Sequence, residues 1–126
     1  MPITLRLKVH DDFVEAEFTG TRDINNELEE TLNAWSEIPP LCKKHGLNKI
    51  MAVTHLDKRL KLDHSFALAD KLVAIGFMPD YKLTAVIPND KLRLEYEVLA
   101  TFIRNFGYEC EIFATEKEAK KWLLHS

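Results

Sequence analysis

The densest group of polar side chains in the sequence follows the third predicted strand. It combines hydroxyl, imidazole, carboxylate and cationic groups at Thr54, His55, Asp57, Lys58, Arg59, Lys61, Asp63, His64 and Ser65. Two imidazoles and two carboxylates could together hold a divalent metal ion. The alternative is a solvated loop in which Asp63 or Ser65 caps the next helix, which is the commoner use of such residues. We therefore expect no metal at this loop.

Catalysis by Asp63, His64 and Ser65 as a triad is disfavoured, because sequence neighbours rarely converge into a nucleophile, a base and an orienting group. The four glycines are isolated, so the chain has no glycine-rich phosphate loop. It also lacks His-Glu-x-x-His, Cys-x-x-Cys, Gly-x-Ser-x-Gly and calcium-loop motifs. These observations exclude the enzymes that carry such motifs. We predict a protein that is not an enzyme, with no catalytic residue and no cofactor.

A ligand site is predicted at the rim where the parallel strands end, because open α/β sheets bind ligands at the carboxyl ends of their strands. Five polar residues should line this rim: Arg22, Asp57, Arg59, His64 and Asn89. Arg22 and Arg59 could bind a carboxylate or a phosphate through paired hydrogen bonds. This rim supports an alternative function, either a domain for a small anionic or lipid-like ligand or an enzyme without a recognisable motif.

The helix predicted over residues 65–75 is apolar around nearly its whole circumference, with only Asp70 and Lys71 as a polar strip. Such a helix is either deeply buried or part of an interface, and we favour the interface. The candidate interface residues include two from the next helix: Phe66, Leu68, Leu72, Ile75, Leu94 and Val98. The leading prediction is a non-enzymatic binding or regulatory module that self-associates or binds a protein partner.

The elements that position these residues form an α/β domain. Alternating apolar and polar residues predict an antiparallel hairpin over residues 3–9 and 14–18. Continuous apolar runs predict strands buried on both faces at residues 49–56 and 83–87. The strand over residues 108–112 alternates and should lie nearer an edge. We predict a three-layer domain with a mixed five-stranded sheet, in the element order ββαβαβα.

Helices are predicted between the strands from apolar spacing and capping residues. Asp23 should cap a helix whose inward residues are Ile24, Leu28, Trp35 and Ile38, and which Pro39-Pro40 must kink or end. One more turn then runs from Leu41 to His45. Asn89 or Asp90 should cap a long helix with an inward face of Leu92, Tyr96, Leu99, Phe102, Ile103 and Phe106. Thr115 and Glu118 form a capping box for the last helix, whose inward residues are Ala119, Trp122 and Leu123.

Length and composition limit the class of protein further. A chain of 126 residues with 46% hydrophobic residues fits one domain with its own core. The formal charge of −3 argues against nucleic-acid binding, which usually needs a strongly basic face. Cys42 and Cys110 have no metal-ligand spacing and should be reduced, half-buried thiols.

The first residues, Met1–Arg6, do not resemble a signal peptide, and no apolar run could insert stably in a membrane. We expect a cytoplasmic protein.

The C-terminal half resembles a known family. The strand Leu-Thr-Ala-Val-Ile at 83–87, the following helix, Cys-Glu-Ile-Phe at 110–113 and Glu-Ala-Lys-Lys-Trp-Leu at 118–123 are similar to STAS-like domains. The resemblance is greatest to the uncharacterised bacterial proteins grouped with the sporulation anti-sigma-factor antagonist, and it extends in element order over the whole chain. It implies a non-enzymatic, often oligomeric module that binds proteins or small ligands.

The resemblance also implies a candidate phosphorylation site. Anti-sigma-factor antagonists carry a phosphorylatable serine at the start of the helix after the third strand, and Ser65 occupies that region here. The sequence departs from the family pattern because His64 separates Ser65 from Asp63 and a long charged loop precedes them. We therefore expect Ser65 not to act as a switch, and either Asp63 or Ser65 to cap the helix.

Overall fold

The computed structural model describes residues 3–23 and 25–125. The predictions for Met1, Pro2 and Ile24 lie outside these ranges. The strands are β1 (Thr4–Val9), β2 (Val14–Thr19), β3 (Lys49–Thr54), β4 (Lys82–Val86) and β5 (Glu109–Phe113). The helices are α1 (Glu27–Trp35), α2 (Ile38–His45), α3 (Leu62–Lys71), α4 (Asp90–Asn105) and α5 (Glu116–Leu124). The described residues form the order ββααβαβαβα, so the predicted order ββαβαβα was one strand and two helices too short.

The sheet is mixed, as predicted, and its strands lie in chain order from β1 to β5. β1 and β2 pair antiparallel, and the pairs from β2 to β5 are all parallel. β3 and β4 are interior strands, which confirms the prediction from their continuous apolar runs. β5 is an edge strand, as its alternating pattern indicated, and the Arg104 Nε donates a hydrogen bond of 2.7 Å to its Cys110 carbonyl.

The two faces of the sheet are covered unequally. The front face carries Ala16, Ala52 and Ala85 and packs against α1–α4 in the main apolar core. The back face carries Val53 and Val86, which form a second cluster with α5 residues. The expected arrangement of helices on both faces is therefore present. On the back face of the hairpin the residues are charged, with the Arg6 guanidinium 3.5 Å from the Glu17 carboxylate.

The first helix differs from its prediction at both ends. Asp23 does not cap it, because α1 begins at Glu27 with Asn26 in the cap position, and the Asp23 carboxylate instead accepts the backbone N–H of Asn25 at 2.9 Å. The helix ends before the two prolines. They lie in the first turn of α2, where the backbone N–H has no helical partner to lose.

Both predicted caps of the later helices are confirmed. The Asn89 side chain accepts the backbone N–H of Leu92 at 2.8 Å. The Thr115 hydroxyl accepts the backbone N–H of Glu118 at 3.2 Å, and it lies 3.0 Å from the Glu118 carboxylate. In these two helices three residues predicted to face inward are not fully buried, since Phe102 and Trp122 are half-buried and Phe106 is exposed. Leu28 and Trp35 of the first helix are also half-buried.

The two cysteines are reduced, but they are fully buried rather than half-buried. Burial raises the pKa of the Cys42 thiol to about 11 and that of the Cys110 thiol to about 12. Because the thiolate is the reactive form, both side chains behave as small apolar core residues at neutral pH.

Candidate functional site

A cavity lies between the front face of the sheet and helices α1, α3 and α4. The space open to the centre of a water molecule is about 50 Å³. That is room for a few waters, since one water needs about 10–15 Å³ on this measure. The lining is mostly apolar and includes Phe18, Trp35, Leu68, Leu99 and Ile103. A void with such walls offers water few hydrogen-bond partners, so apolar groups are its favoured contents.

The cavity exists because small side chains lie opposite one another across it. Ala16, Ala52 and Ala85 form a row across three neighbouring strands, since Ala16 pairs with Ala52 and Ala52 pairs with Ala85. Ala52 and Ala85 line the floor, and Ala100 of α4 lines the opposite wall. Ala85 is partly exposed although β4 is an interior strand. Ala85 lines the cavity, where no helix residue covers it completely.

Arg22 is the charged side chain in the cavity lining, and it is buried with 8% of its surface exposed. Its Nε donates to the Lys58 carbonyl at 3.0 Å, and its two terminal nitrogens donate to the Thr31 and Tyr96 hydroxyls, both at 2.8 Å. The Tyr96 hydroxyl in turn donates to the Lys58 carbonyl at 3.0 Å. The cation is thus held by neutral oxygens.

The loop from His55 to Lys61 closes the cavity beside Arg22. Leu56 and Leu60 are buried and line the cavity, and the Lys58 carbonyl between them accepts hydrogen bonds from Arg22 and Tyr96. Burial raises the pKa of the Tyr96 phenol, against the opposing effect of the Arg22 charge. The hydroxyl therefore keeps its proton at neutral pH and remains a donor to this loop.

Glu27 fixes the end of the same loop to α1. Its buried carboxylate accepts the backbone N–H of Lys61 at 2.9 Å and lies 2.7 Å from the His64 Nδ1. Burial alone would raise the pKa of Glu27. The hydrogen bonds from Lys61 and His64 and the charges of His64 and Arg22 outweigh burial, so the pKa is lowered. Glu27 is therefore an anion at neutral pH, held close to the start of α3.

The predicted rim residues do not form a common site. Arg22 faces the cavity, whereas His64 is held by Glu27. Arg59 donates to the carbonyl of the next residue at 2.9 Å, Asn89 caps α4, and Asp57 is exposed. The residues were predicted from strand ends, but β3 ends at Thr54 and the loop folds back over the sheet. Within residues 3–23 and 25–125, no group of three metal-ligand side chains could hold a metal ion.

Ser65 is neither a helix cap nor accessible. α3 begins at Leu62 with Lys61 as its N-cap residue, so Ser65 lies one turn inside the helix. Only 3% of its surface is exposed. Asp63, the other predicted cap, lies in the first turn and is exposed. The prediction of a cap was wrong because the helix begins earlier, at Leu62, where Glu27 of α1 accepts the N–H of the N-cap residue Lys61. A buried hydroxyl also does not suit phosphorylation of the folded protein.

The apolar circumference of α3 is explained mainly by burial. Leu68 and Leu72 are fully buried in the core formed with α1 and α4, so the prediction that they line an interface was wrong. A helix packed between two others and a sheet buries more of its circumference than a peripheral helix does. Ile75 and Val98 are half-buried. Leu94, at 74% exposed, projects from the outer side of α4.

An exposed apolar cluster remains on the outer surface where α3 meets α4. The Phe66 ring lies 5.5 Å from the Phe102 ring and 5.7 Å from the Phe106 ring, centroid to centroid. Phe66 is 49% exposed, Phe106 is 40% exposed, and Leu62, one turn before Phe66, is 58% exposed. We call these four residues the Phe66 cluster. Its size is limited, and Lys61 and Asp63 lie exposed on either side of Leu62.

Comparison with known proteins adds no family to this description, because neither a family model nor a curated protein matches the chain. The resemblance to STAS-like domains therefore stays a prediction from the sequence. In the part of the chain that the structure describes, no helix has the length and apolar character needed to span a membrane.

Proposed function

We propose that this domain is a non-enzymatic binding module that holds a small, largely apolar ligand in the cavity between the front face of the sheet and helices α1, α3 and α4. The observation that carries the proposal is the facing set of small residues, Ala52 and Ala85 below and Ala100 above. Larger side chains at these positions would close the space. The resemblance to STAS-like domains, some of which bind small ligands, agrees with this function.

The physical basis of binding is the removal of apolar surface from water. Burying apolar surface contributes about 25 cal/mol per Å². A small apolar group in the cavity would contact both alanines and the Leu68 side chain while displacing water that has few partners. Pre-formed apolar cavities in other proteins bind small apolar molecules in this way. The ligand has to be small, because the helices leave little room above the alanine row.

Tryptophan fluorescence gives a direct test. Trp35 lines the cavity, whereas Trp122 packs against Phe113 at the back-face cluster. In the variant Trp122→Phe, titration with benzene, hexanol or hexanoate should change the Trp35 emission in a saturable manner. In the variant Trp35→Phe, the remaining Trp122 should not respond. An unchanged Trp35 emission with all three probes, together with no binding by calorimetry, would refute the proposed site.

A cavity-filling variant is the matched control for this titration. Ala52→Leu should weaken binding by about tenfold or more and leave the free energy of unfolding within about 1 kcal/mol of wild type, because the new side chain fills open space. Ala119→Leu makes the same change at a fully buried position of α5 itself, in the back-face cluster. It should cost about 1–3 kcal/mol and leave binding intact. Equal destabilisation by the two variants would show that no usable cavity lies above Ala52.

We propose self-association through the Phe66 cluster as a second candidate function. The exposed aromatic ring of Phe66 beside Leu62 and Phe106 supports it, since an apolar patch is complementary to a second copy of itself. Lys61 and Asp63 flank Leu62 with opposite charges, so a two-fold arrangement can place each near its counterpart in the other copy. This is the interface predicted from the sequence, without Leu68 and Leu72.

Light scattering at micromolar concentrations measures this association. Wild type should be dimeric, and Phe66→Glu should be monomeric because it places a charge in the centre of the apolar contact. Val73→Glu is the control, since Val73 is 56% exposed just beyond the other end of α3, and it should leave the dimer intact. A wild-type protein that is monomeric throughout this range would remove the second candidate without affecting the first.

A further inference from the structure

Arg22 is a buried cation that no carboxylate of residues 3–23 and 25–125 pairs with. Among the ion pairs of the described residues, none includes Arg22, although only 8% of its surface is exposed. Buried charges in proteins are usually paired with an opposite charge, because removing an ion from water is costly. The partners of this guanidinium are one carbonyl and two hydroxyl oxygens, at Lys58, Thr31 and Tyr96.

The guanidinium also has N–H donors that its hydrogen bonds to the described residues do not use. A guanidinium has five N–H groups, and the three hydrogen bonds to described residues use one from each nitrogen. One N–H group on each terminal nitrogen is left over. The Thr31 and Tyr96 hydroxyls are oriented by donating to backbone carbonyls, at 2.6 Å and 3.0 Å, so their lone pairs hold Arg22 in place. A rigid, incompletely used pair of donors suits a carboxylate, which accepts two parallel hydrogen bonds.

We propose that the ligand of this cavity is a small monocarboxylate, with its carboxylate accepting hydrogen bonds from the Arg22 guanidinium and its apolar chain lying over Ala52 and Ala85. This inference rests on the proposed function, since it assigns a ligand class to the same cavity. Arg22 and the alanines line one continuous space, so a single compact molecule can reach both. The charge of the ligand would supply the partner that Arg22 lacks among the described residues.

The charges nearby favour a single negative charge over a phosphate dianion. The buried Glu27 carboxylate already lies within the electrostatic reach of Arg22, which contributes to its lowered pKa. Its hydrogen bonds go to the Lys61 backbone and to His64, so it does not occupy the two remaining donors. A dianion would add a second unbalanced charge beside Glu27. A monocarboxylate needs only the one cation that the site offers.

Calorimetric titration of the wild-type protein with hexanoate, hexanol and hexylamine tests two things separately. It shows whether the cavity binds a small apolar molecule, and whether it prefers a carboxylate head group. The three probes share their apolar chain and differ in the charge of the head group. We expect hexanoate to bind about 10- to 100-fold more tightly than hexanol, as for one or two hydrogen bonds to a charged group, and hexylamine to bind most weakly. Equal binding of hexanoate and hexanol would overturn the carboxylate inference and leave the proposed function standing. Binding of none of the probes would overturn both.

Arg22→Met tests the assignment to this residue, since methionine retains much of the apolar stem and removes the charge. The variant should bind hexanoate and hexanol with equal affinity. If it does not fold, Arg22→Lys provides the second test. Lysine keeps the charge but lacks the paired donors of a guanidinium, so the preference for hexanoate should fall. A preference that survives undiminished in folded Arg22→Met or in Arg22→Lys would show that Arg22 does not select the ligand.

Discussion

Leu68→Ala is expected to lower the free energy of unfolding by about 2–5 kcal/mol, the range found for leucine truncation in a packed core. Leu68 is fully buried and contributes to both the main core and the cavity wall. The loss combines the removed apolar contacts with the enlarged void that remains. Urea denaturation followed by circular dichroism measures this change through the shift in the transition midpoint.

Leu94→Ala provides the control. Leu94 is 74% exposed in α4 and lies outside the Phe66 cluster, so the same truncation should change the free energy of unfolding by no more than about 0.5 kcal/mol. A large difference between the two leucines would establish that α3 is apolar because it is buried. Similar small losses at both positions would mean that Leu68 is not in the core and would restore it as an interface residue.

Glu27→Gln is expected to cost about 2–3 kcal/mol at pH 7, because hydrogen bonds to a charged group contribute about 1.5–3 kcal/mol each and glutamine keeps only part of this bonding. The folded protein lowers the pKa of Glu27 below its usual value. The unfolded chain therefore binds the proton more readily, and the stabilisation is fully present above the unfolded pKa of about 4.5. It is lost as the pH falls through the lower, folded pKa.

The pH dependence distinguishes Glu27 from a generally destabilised variant. The difference in unfolding free energy between wild type and Glu27→Gln should shrink in acid, below about pH 4.5. Glu29→Gln, at an exposed position in the same helix, should show neither the loss nor the change with pH. A difference that stays the same at pH 3.5 would contradict the role assigned to the Glu27 carboxylate.

The elements of this fold were predictable because their signals are local. Alternation in the hairpin, continuous apolar runs in β3 and β4, and the Asn89 and Thr115 caps each depend on a few neighbouring residues. The start of α3 was mispredicted because the N-cap residue Lys61 is held by Glu27, which lies 34 positions earlier in the chain. Contacts of this length leave no periodic pattern in the sequence.

The candidate site was less predictable, since it depends on the register of the strands and on the space that small side chains leave between the sheet and the helices. Arg22 was identified as an anion-binding residue, but its place inside a cavity follows from the return of the loop at 55–61. The cavity itself did leave a signal, because Ala16, Ala52 and Ala85 each lie near the middle of a strand. Recognising them as one row requires knowing which strands are neighbours. Burial of Leu68 and Leu72 likewise depends on the helices that surround α3.

The strand order has a consequence for how the protein folds as it is synthesised. Because β1 to β5 pair in chain order, each strand that leaves the ribosome can add to an edge that is already present, and no strand has to be inserted between two others. The back face is the exception. Its Val53 and Val86 are covered in the cluster that contains Ala119 and Leu123 of α5, so this apolar surface stays open to water until α5 has been made. A nascent chain is therefore most prone to aggregation in the interval between the emergence of β4 and that of α5.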